Sequence, residues 1–166
     1  AMTKDELGND YPDNGERAIF FARGVLETVK KLRWTPDIIH CQGWMSAVIP
    51  FYVKTAYKDE PQFAGSKVVT SLFAEQPQGS LGTNFKHCLE FREAKEKCLK
   101  KYGDNFDFME LGKLAIDYSD GIIRTSDKAS TALVDYARDN AKPLLEHSID
   151  DAGLKEKYSE FYSRLL

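Results

Sequence analysis

With 166 residues, 42% of them hydrophobic, the chain is long enough for one domain with its own core and too short for two ordinary ones. Its 23 basic against 26 acidic residues leave a formal net charge of -3 and no broad cationic surface, which excludes nucleic acid as a partner class. The longest apolar run, Ala47 to Val53, is broken by Pro50 and falls short of the roughly 20 residues a membrane-spanning helix needs, so no membrane is expected either.

Residues 1 to 12 are polar and turn-rich, and they are expected to form a flexible or edge-covering segment ahead of a single domain over residues 13 to 166. Ala1 ahead of Met2 reads as the remnant of a cleaved tag. Ala18, Phe21, Ala22, Val25, Leu26, Val29 and Leu32 then recur at the spacing of one helical face, and Asp13 with Glu16 three residues later has the form of a capping box. Trp34 to Pro36 stops this helix. Ile38 to Cys41 is short, apolar and β-branched; a turn at Gly43 and a buried helix from about Trp44 to Tyr57, containing Pro50, follow it. A second strand is predicted at Lys67 to Phe73 and a surface loop at Gln76 to Thr83. Beyond the loop, helices are predicted over roughly Asn84 to Lys101 and Phe108 to Tyr118, with a third strand at Gly121 to Arg124 and a helix capped by Ser126. The last helix is expected to begin at a Ser148–Asp151 cap and to dock through Leu154, Tyr158, Phe161, Tyr162 and Leu165.

Strands alternating with helices predict an α/β fold: a three-layer Rossmann-like parallel sheet of at least three strands, with helices on both faces. The three cysteines, Cys41, Cys88 and Cys98, lack zinc or disulfide-framework spacing, and no secretory leader pattern is evident. A reducing cytoplasm and free thiols are therefore expected, with Cys41 buried and inert.

Taken in order, the segments YPDNGERAIFFARG, RWTPDIIHCQGWMSAVIPFY, KVVTSLF and KLAIDYSDGIIRTS resemble bacterial glycogen and starch synthases, from about Tyr11 to Ser126. Asp13, Asn14 and Arg17 match the family's DNxxR segment, while Trp34, Pro36, Asp37, His40, Trp44 and Pro50 match its W-x-PD strand, HDW turn and following helix. Lys113, Tyr118 and Asp120 match a later K-x-x-hydrophobic-x-Y-x-D segment. The resemblance implies the N-terminal part of a GT-B fold, ADP-glucose as donor, an α-glucan as acceptor, and retaining glucosyl transfer with neither metal nor other cofactor. It also places Gly43 where the family carries the aspartate beside the reacting sugar, and Leu72 where it carries the histidine of a T-x-HN motif. The family's lysine-glycine-glycine loop has no counterpart before Asp13, and its second domain does not fit within this length.

Each candidate residue has two readings. Asp13 and Arg17 either shape an acceptor site or serve as a helix cap and a solvated or paired cation. His40 stands at a strand end, where ligands gather in parallel sheets, or makes a structural hydrogen bond. Gln42 offers an amide to a sugar hydroxyl or is a solvated turn residue. Trp44 stacks on a sugar ring or anchors the core. With no intact catalytic pair, two functions stand open: a glucosyltransferase domain incompetent as this chain, or a pseudoenzyme that holds ADP-glucose, a glucan or a protein without turnover. The edge strand at Ile38 to Cys41 further predicts a homodimer, or coverage of that edge by residues 1 to 12.

Overall fold

The computed structural model describes residues 3–74, 79–146 and 152–166. Helix α1 (Asn14–Lys31) leads into β1 (Ile38–Gln42), a 3-10 turn (Trp44–Ser46) and α2 (Ile49–Lys54), then β2 (Lys67–Leu72). A long excursion holding α3 (Phe85–Leu89) and a second 3-10 turn (Glu96–Cys98) precedes α4 (Phe108–Asp117). The chain closes with β3 (Gly121–Arg124), α5 (Thr131–Asp139), β4 (Leu144–Glu146) and α6 (Leu154–Leu165). The strands form a parallel sheet in the order β1-β2-β3-β4, with His40 opposite Val69, Val69 opposite Gly121 and Ile122 opposite Leu144.

Because successive strand residues point to opposite faces, each strand supplies two layers. Cys41, Val68 and Leu72 face the layer of α1, α2, α4 and α5, where most of the core sits. Ile38, Val69, Ile123 and Leu145 face α6, which seats Phe161 between them. Gly121 allows this approach: a Cβ there would lie 2.8 Å from Leu165 and 2.9 Å from Phe161. The predicted α/β architecture, with helices on both faces, is thus the observed one, and β4 adds a fourth strand.

Local details depart from the sequence expectations for identifiable reasons. Asp13 sits at the start of α1 but makes no capping hydrogen bond; its carboxylate turns to Arg17 Nε, 3.0 Å away. The buried face of α1 is Ala18, Ile19, Ala22 and Leu26, so Phe21 and Leu32, expected inside, are exposed along with Phe20. The predicted helix from Trp44 begins as a 3-10 turn, and Pro50 falls in the first turn of α2, where its missing N–H is no loss. The helix expected over Asn84 to Lys101 ends at Leu89, where Glu90 turns extended and Arg92 takes a φ of 51°. Beyond the break Phe91 and Ala94 form a local bridge, and the Arg23 guanidinium lies 3.9 Å over the Phe91 ring. Ser130, not Ser126, caps α5, and Ser126 closes a turn to Lys128 instead. Residues Ser148 and Asp151, the expected cap of α6, and His147 lie outside the described residues; α6 begins after Gly153.

Among the described N-terminal residues, Lys4 pairs with Asp10 and Asn14 Nδ2 donates to the Thr3 carbonyl, so residues 3–12 fold onto the start of α1. None of them pairs with β1, so the expected coverage of that edge is not found there. Within the described residues, no helix is long and apolar enough to cross a membrane.

Candidate functional site

In parallel α/β sheets the helix connections leave a crevice at the carboxyl ends of the strands, where ligands are held. Here that rim comprises Gln42 and Gly43 after β1, Leu72 and Phe73 after β2, Arg124 and Thr125 after β3, and Glu146 at the end of β4. Gln42 is exposed, with its amide free to offer both a donor and an acceptor. Gly43 holds φ 75° and ψ 159°, a backbone region essentially confined to glycine, and a Cβ built there would meet nothing within 4 Å. Ser46 fixes this turn by donating its hydroxyl to the Gln42 and Gly43 carbonyls, both at 2.8 Å.

Leu72 is directed away from the crevice. It is buried in an apolar cluster with Ile116, Ile122, Leu133 and Val134, and Phe73 beside it is buried too. Trp44 is likewise enclosed, meeting Phe108 edge-on at 5.7 Å.

His40 lies two residues before Gln42, inside the rim, and is engaged on both ring nitrogens. Nε2 is 2.7 Å from Ser71 Oγ, and Nδ1 is 2.6 Å from the Tyr162 hydroxyl. A neutral imidazole satisfies both contacts, accepting from tyrosine and donating to serine. Burial favours that neutral form, holding the His40 pKa below the usual histidine value, and the same desolvation raises Tyr162. Both ring nitrogens of His40 are therefore occupied by partners within the chain.

At the far end of the rim, Glu146 receives Arg124 Nη1 at 3.2 Å and Arg138 Nη2 at 2.8 Å. The Arg124 hydrogen bond leads in holding its carboxyl below the usual carboxylate range. This acid stands three strand spacings from β1, about 14 Å. It does not join the His40 imidazole beside Gly43.

The remaining candidates divide between the rim and the frame. Asp13 pairs with Arg17, whose guanidinium also lies 4.3 Å over the Tyr11 ring; both are at the amino end of α1. Of the later motif residues, Asp120 accepts from the Val68 amide at 2.8 Å and pairs with Lys54 at 2.8 Å, fastening the start of β2 to α2. Tyr118 packs edge-on against Phe51 at 5.0 Å, and Lys113 reaches over Tyr136. Cys41 is buried, which pushes its thiol up to about 12, and all three cysteines are free thiols. His87 is exposed near Glu90.

Sequence reasoning did not find the partners of His40 or the Arg124–Glu146–Arg138 cluster. The former are 31 and 122 positions away in the chain. The cluster depends on β4, whose three residues follow Pro143 and carry little strand signal. Chemically, the rim can hydrogen-bond a polyhydroxy ligand through Gln42 and turn backbone, while no described carboxylate stands next to Gly43.

A family model for the starch synthase catalytic domain matches residues 3–150. The chain is similar to a glycogen synthase of Clostridium perfringens (strain 13 / Type A), 34% identical over 141 residues, which is 83% of this chain and 27% of that protein. A glycogen synthase of Desulforudis audaxviator (strain MP104C) is 29% identical over 154 residues, 92% of this chain and 28% of that protein. One from Chlorobium luteolum (strain DSM 273 / BCRC 81028 / 2530) is 48% identical over 75 residues, 45% of this chain and 15% of the relative. The chain thus spans between 15% and 28% of the length of these relatives.

Proposed function

The chain belongs to the starch synthase catalytic domain family, as a glycogen synthase-like N-terminal portion, and on that premise we propose that it serves glucan metabolism without completing glucosyl transfer by itself. ADP-glucose and an α-glucan are the ligands the family resemblance assigns to the carboxyl-end rim, and residues 13–166 act as one unit presenting it. The cytoplasm is the compartment where both ligands would be met.

The turn at Gly43 carries this reading. Glycosyl transfer develops positive charge on the sugar ring, and fixed dipoles or carboxylates beside it lower the barrier. Gly43 supplies no side chain there, its φ of 75° disfavours any residue that would, and Leu72 is committed to the core. Loss of a single stabilising group commonly costs about 2.7–4 kcal/mol of transition-state stabilisation. The loss of two, with His40 held by Ser71 and Tyr162, leaves little rate enhancement.

A second reading, a pseudoenzyme that holds a glucan or nucleotide sugar without turnover, is favoured by the exposed amide of Gln42 next to this open turn. Titration calorimetry with ADP-glucose, ADP and maltooligosaccharides in turn, with the cell contents assayed for released ADP, tests both. Heat of binding without ADP release supports a holding module, and loss of that heat in Gln42→Ala places the ligand at the rim. Silence with all three ligands supports an interaction module. ADP release above a protein-free blank overturns the proposal.

A further inference from the structure

We propose that the contact between His40 and Tyr162 is a proton-sensitive latch, which holds α6 on the sheet while the imidazole is neutral and releases it when the imidazole takes up a proton. Alternation along β1 puts Ile38 and His40 on one face of the sheet and Cys41 on the other. The face that carries His40 is the one α6 covers: Ile38, Val69, Ile123 and Leu145 meet Tyr158, Phe161, Tyr162 and Leu165 there. Histidine is the side chain whose ordinary pKa lies closest to neutrality, so a small change in its surroundings is enough to switch its charge.

The helix itself supplies the surroundings that keep the ring neutral. The rings of Tyr158 and Tyr162 each stand edge-on to the imidazole at 5.9 Å, and the Tyr162 hydroxyl is 2.6 Å from Nδ1. From β2, Ser71 Oγ is 2.7 Å from Nε2. The groups facing His40 are thus two phenols and an alcohol. Burial pushes both phenols up, so they stay neutral, and burial is also what lowers His40, with no charged group among the described residues contributing. An imidazolium here has no carboxylate to pair with, and its Nδ1–H faces the Tyr162 hydroxyl, ending the bond in which that hydroxyl donates. Water reaching the ring after α6 leaves removes both penalties.

The latch acts on α6 and not on the whole domain because α6 is joined through a cluster of its own. Phe161, the buried side chain of this helix, packs with Val69 and Ile123 in a core separate from the two on the opposite face of the sheet. Opening can therefore stay local and leave the other layer closed. The sign follows from the lowered pKa: docked His40 binds its proton less readily than undocked His40, so opening takes up a proton below the ordinary value of about 6.5. Docking is at full strength above pH of about 6.5. It weakens as pH falls toward the docked value, with one proton taken up giving at most about a tenfold rise in the opening constant per pH unit.

Hydrogen exchange of the full chain, read by mass spectrometry from about pH 8 to about pH 5 and corrected for the intrinsic pH dependence of exchange, compares α6 (Leu154–Leu165) with α4 (Phe108–Asp117). The protection of α6 is expected to fall by up to about tenfold per pH unit across the window in which NMR shows His40 titrating, while that of α4 holds. His40→Asn is expected to remove this pH dependence, whatever its baseline. In the reverse direction, Phe161→Ala loosens α6, so by linkage the His40 midpoint should rise toward about 6.5. Protection of α6 that is constant with pH in the parent chain, or that declines equally in His40→Asn, overturns the proposal. So does a parallel loss in α4, which would make the opening global, or a His40 midpoint that Phe161→Ala leaves unmoved.

Discussion

Replacing Gly43 isolates the backbone requirement at the rim. At φ 75° and ψ 159° a side chain strains the backbone whatever space surrounds it, and a Cβ at Gly43 meets nothing within 4 Å. Any destabilisation therefore reports conformation rather than a clash. Residues held in such regions cost about 1–3 kcal/mol. For a chain of this size each kcal/mol lowers the melting temperature by about 2–4 °C, so Gly43→Ala and Gly43→Asp should each melt roughly 2–12 °C below the parent. Gly65→Ala is the control: that glycine is also open but lies outside the positive-φ region. Shortening the unfolded ensemble's options there should leave stability unchanged or raise it by about 0.4–1 kcal/mol. Calorimetric melting of the four proteins checks both signs. Gly43→Ala melting at or above the parent would refute the argument, because the turn would then accept the family's aspartate without strain.

Three further substitutions probe the frame that presents the rim. Asp117 receives the Tyr102 hydroxyl, the Tyr136 hydroxyl at 2.9 Å and Lys101 Nζ at 2.6 Å, so Asp117→Ala should cost about 2–3 kcal/mol in urea unfolding; a change under about 0.5 kcal/mol contradicts this. Phe161→Ala should cost about 3–5 kcal/mol and expose α6 to limited proteolysis, whereas unchanged cleavage would mean that the helix docks by other contacts. His40 should titrate by NMR below the usual histidine value of about 6.5, because burial disfavours its charged form. The unfolded state then binds the proton first, so the stability it contributes is full above pH of about 6.5 and declines as pH falls through the window down to the folded value. His40→Asn should flatten that part of the profile, and an unchanged slope would remove His40 as its source.

The alternation of strands and helices was legible because each element carries its own period. Ile38 to Cys41 and Gly121 to Arg124 are short apolar runs between turn residues, and they are strands in the structure. The orientation of α1 was harder to read, since Ile19 and Phe21 are both apolar and only packing against α2 and the 3-10 turn decides which goes inside. The helix expected over Asn84 to Lys101 gives way after Leu89 to a local Phe91–Ala94 bridge with Arg23 and Arg92 over the Phe91 ring, tertiary contacts that a local period does not encode. At the rim, the residue identities at Gly43 and Leu72 were plain in the sequence. Their physical meaning was not: a left-handed turn and a side chain buried under α4 and α5 arise only from the fold. The Tyr162–His40–Ser71 chain joins α6, β1 and β2, a meeting no local pattern records.

The proposal rests on a rim that, among the described residues, offers a sugar hydrogen bonds without a carboxylate beside Gly43 to stabilise its developing charge. Incorporation of radiolabelled glucose from ADP-glucose into glycogen measures this most directly. The prediction is incorporation equal to a protein-free blank over several hours at micromolar protein. Incorporation above the blank that disappears in Gln42→Ala or His40→Asn would contradict it.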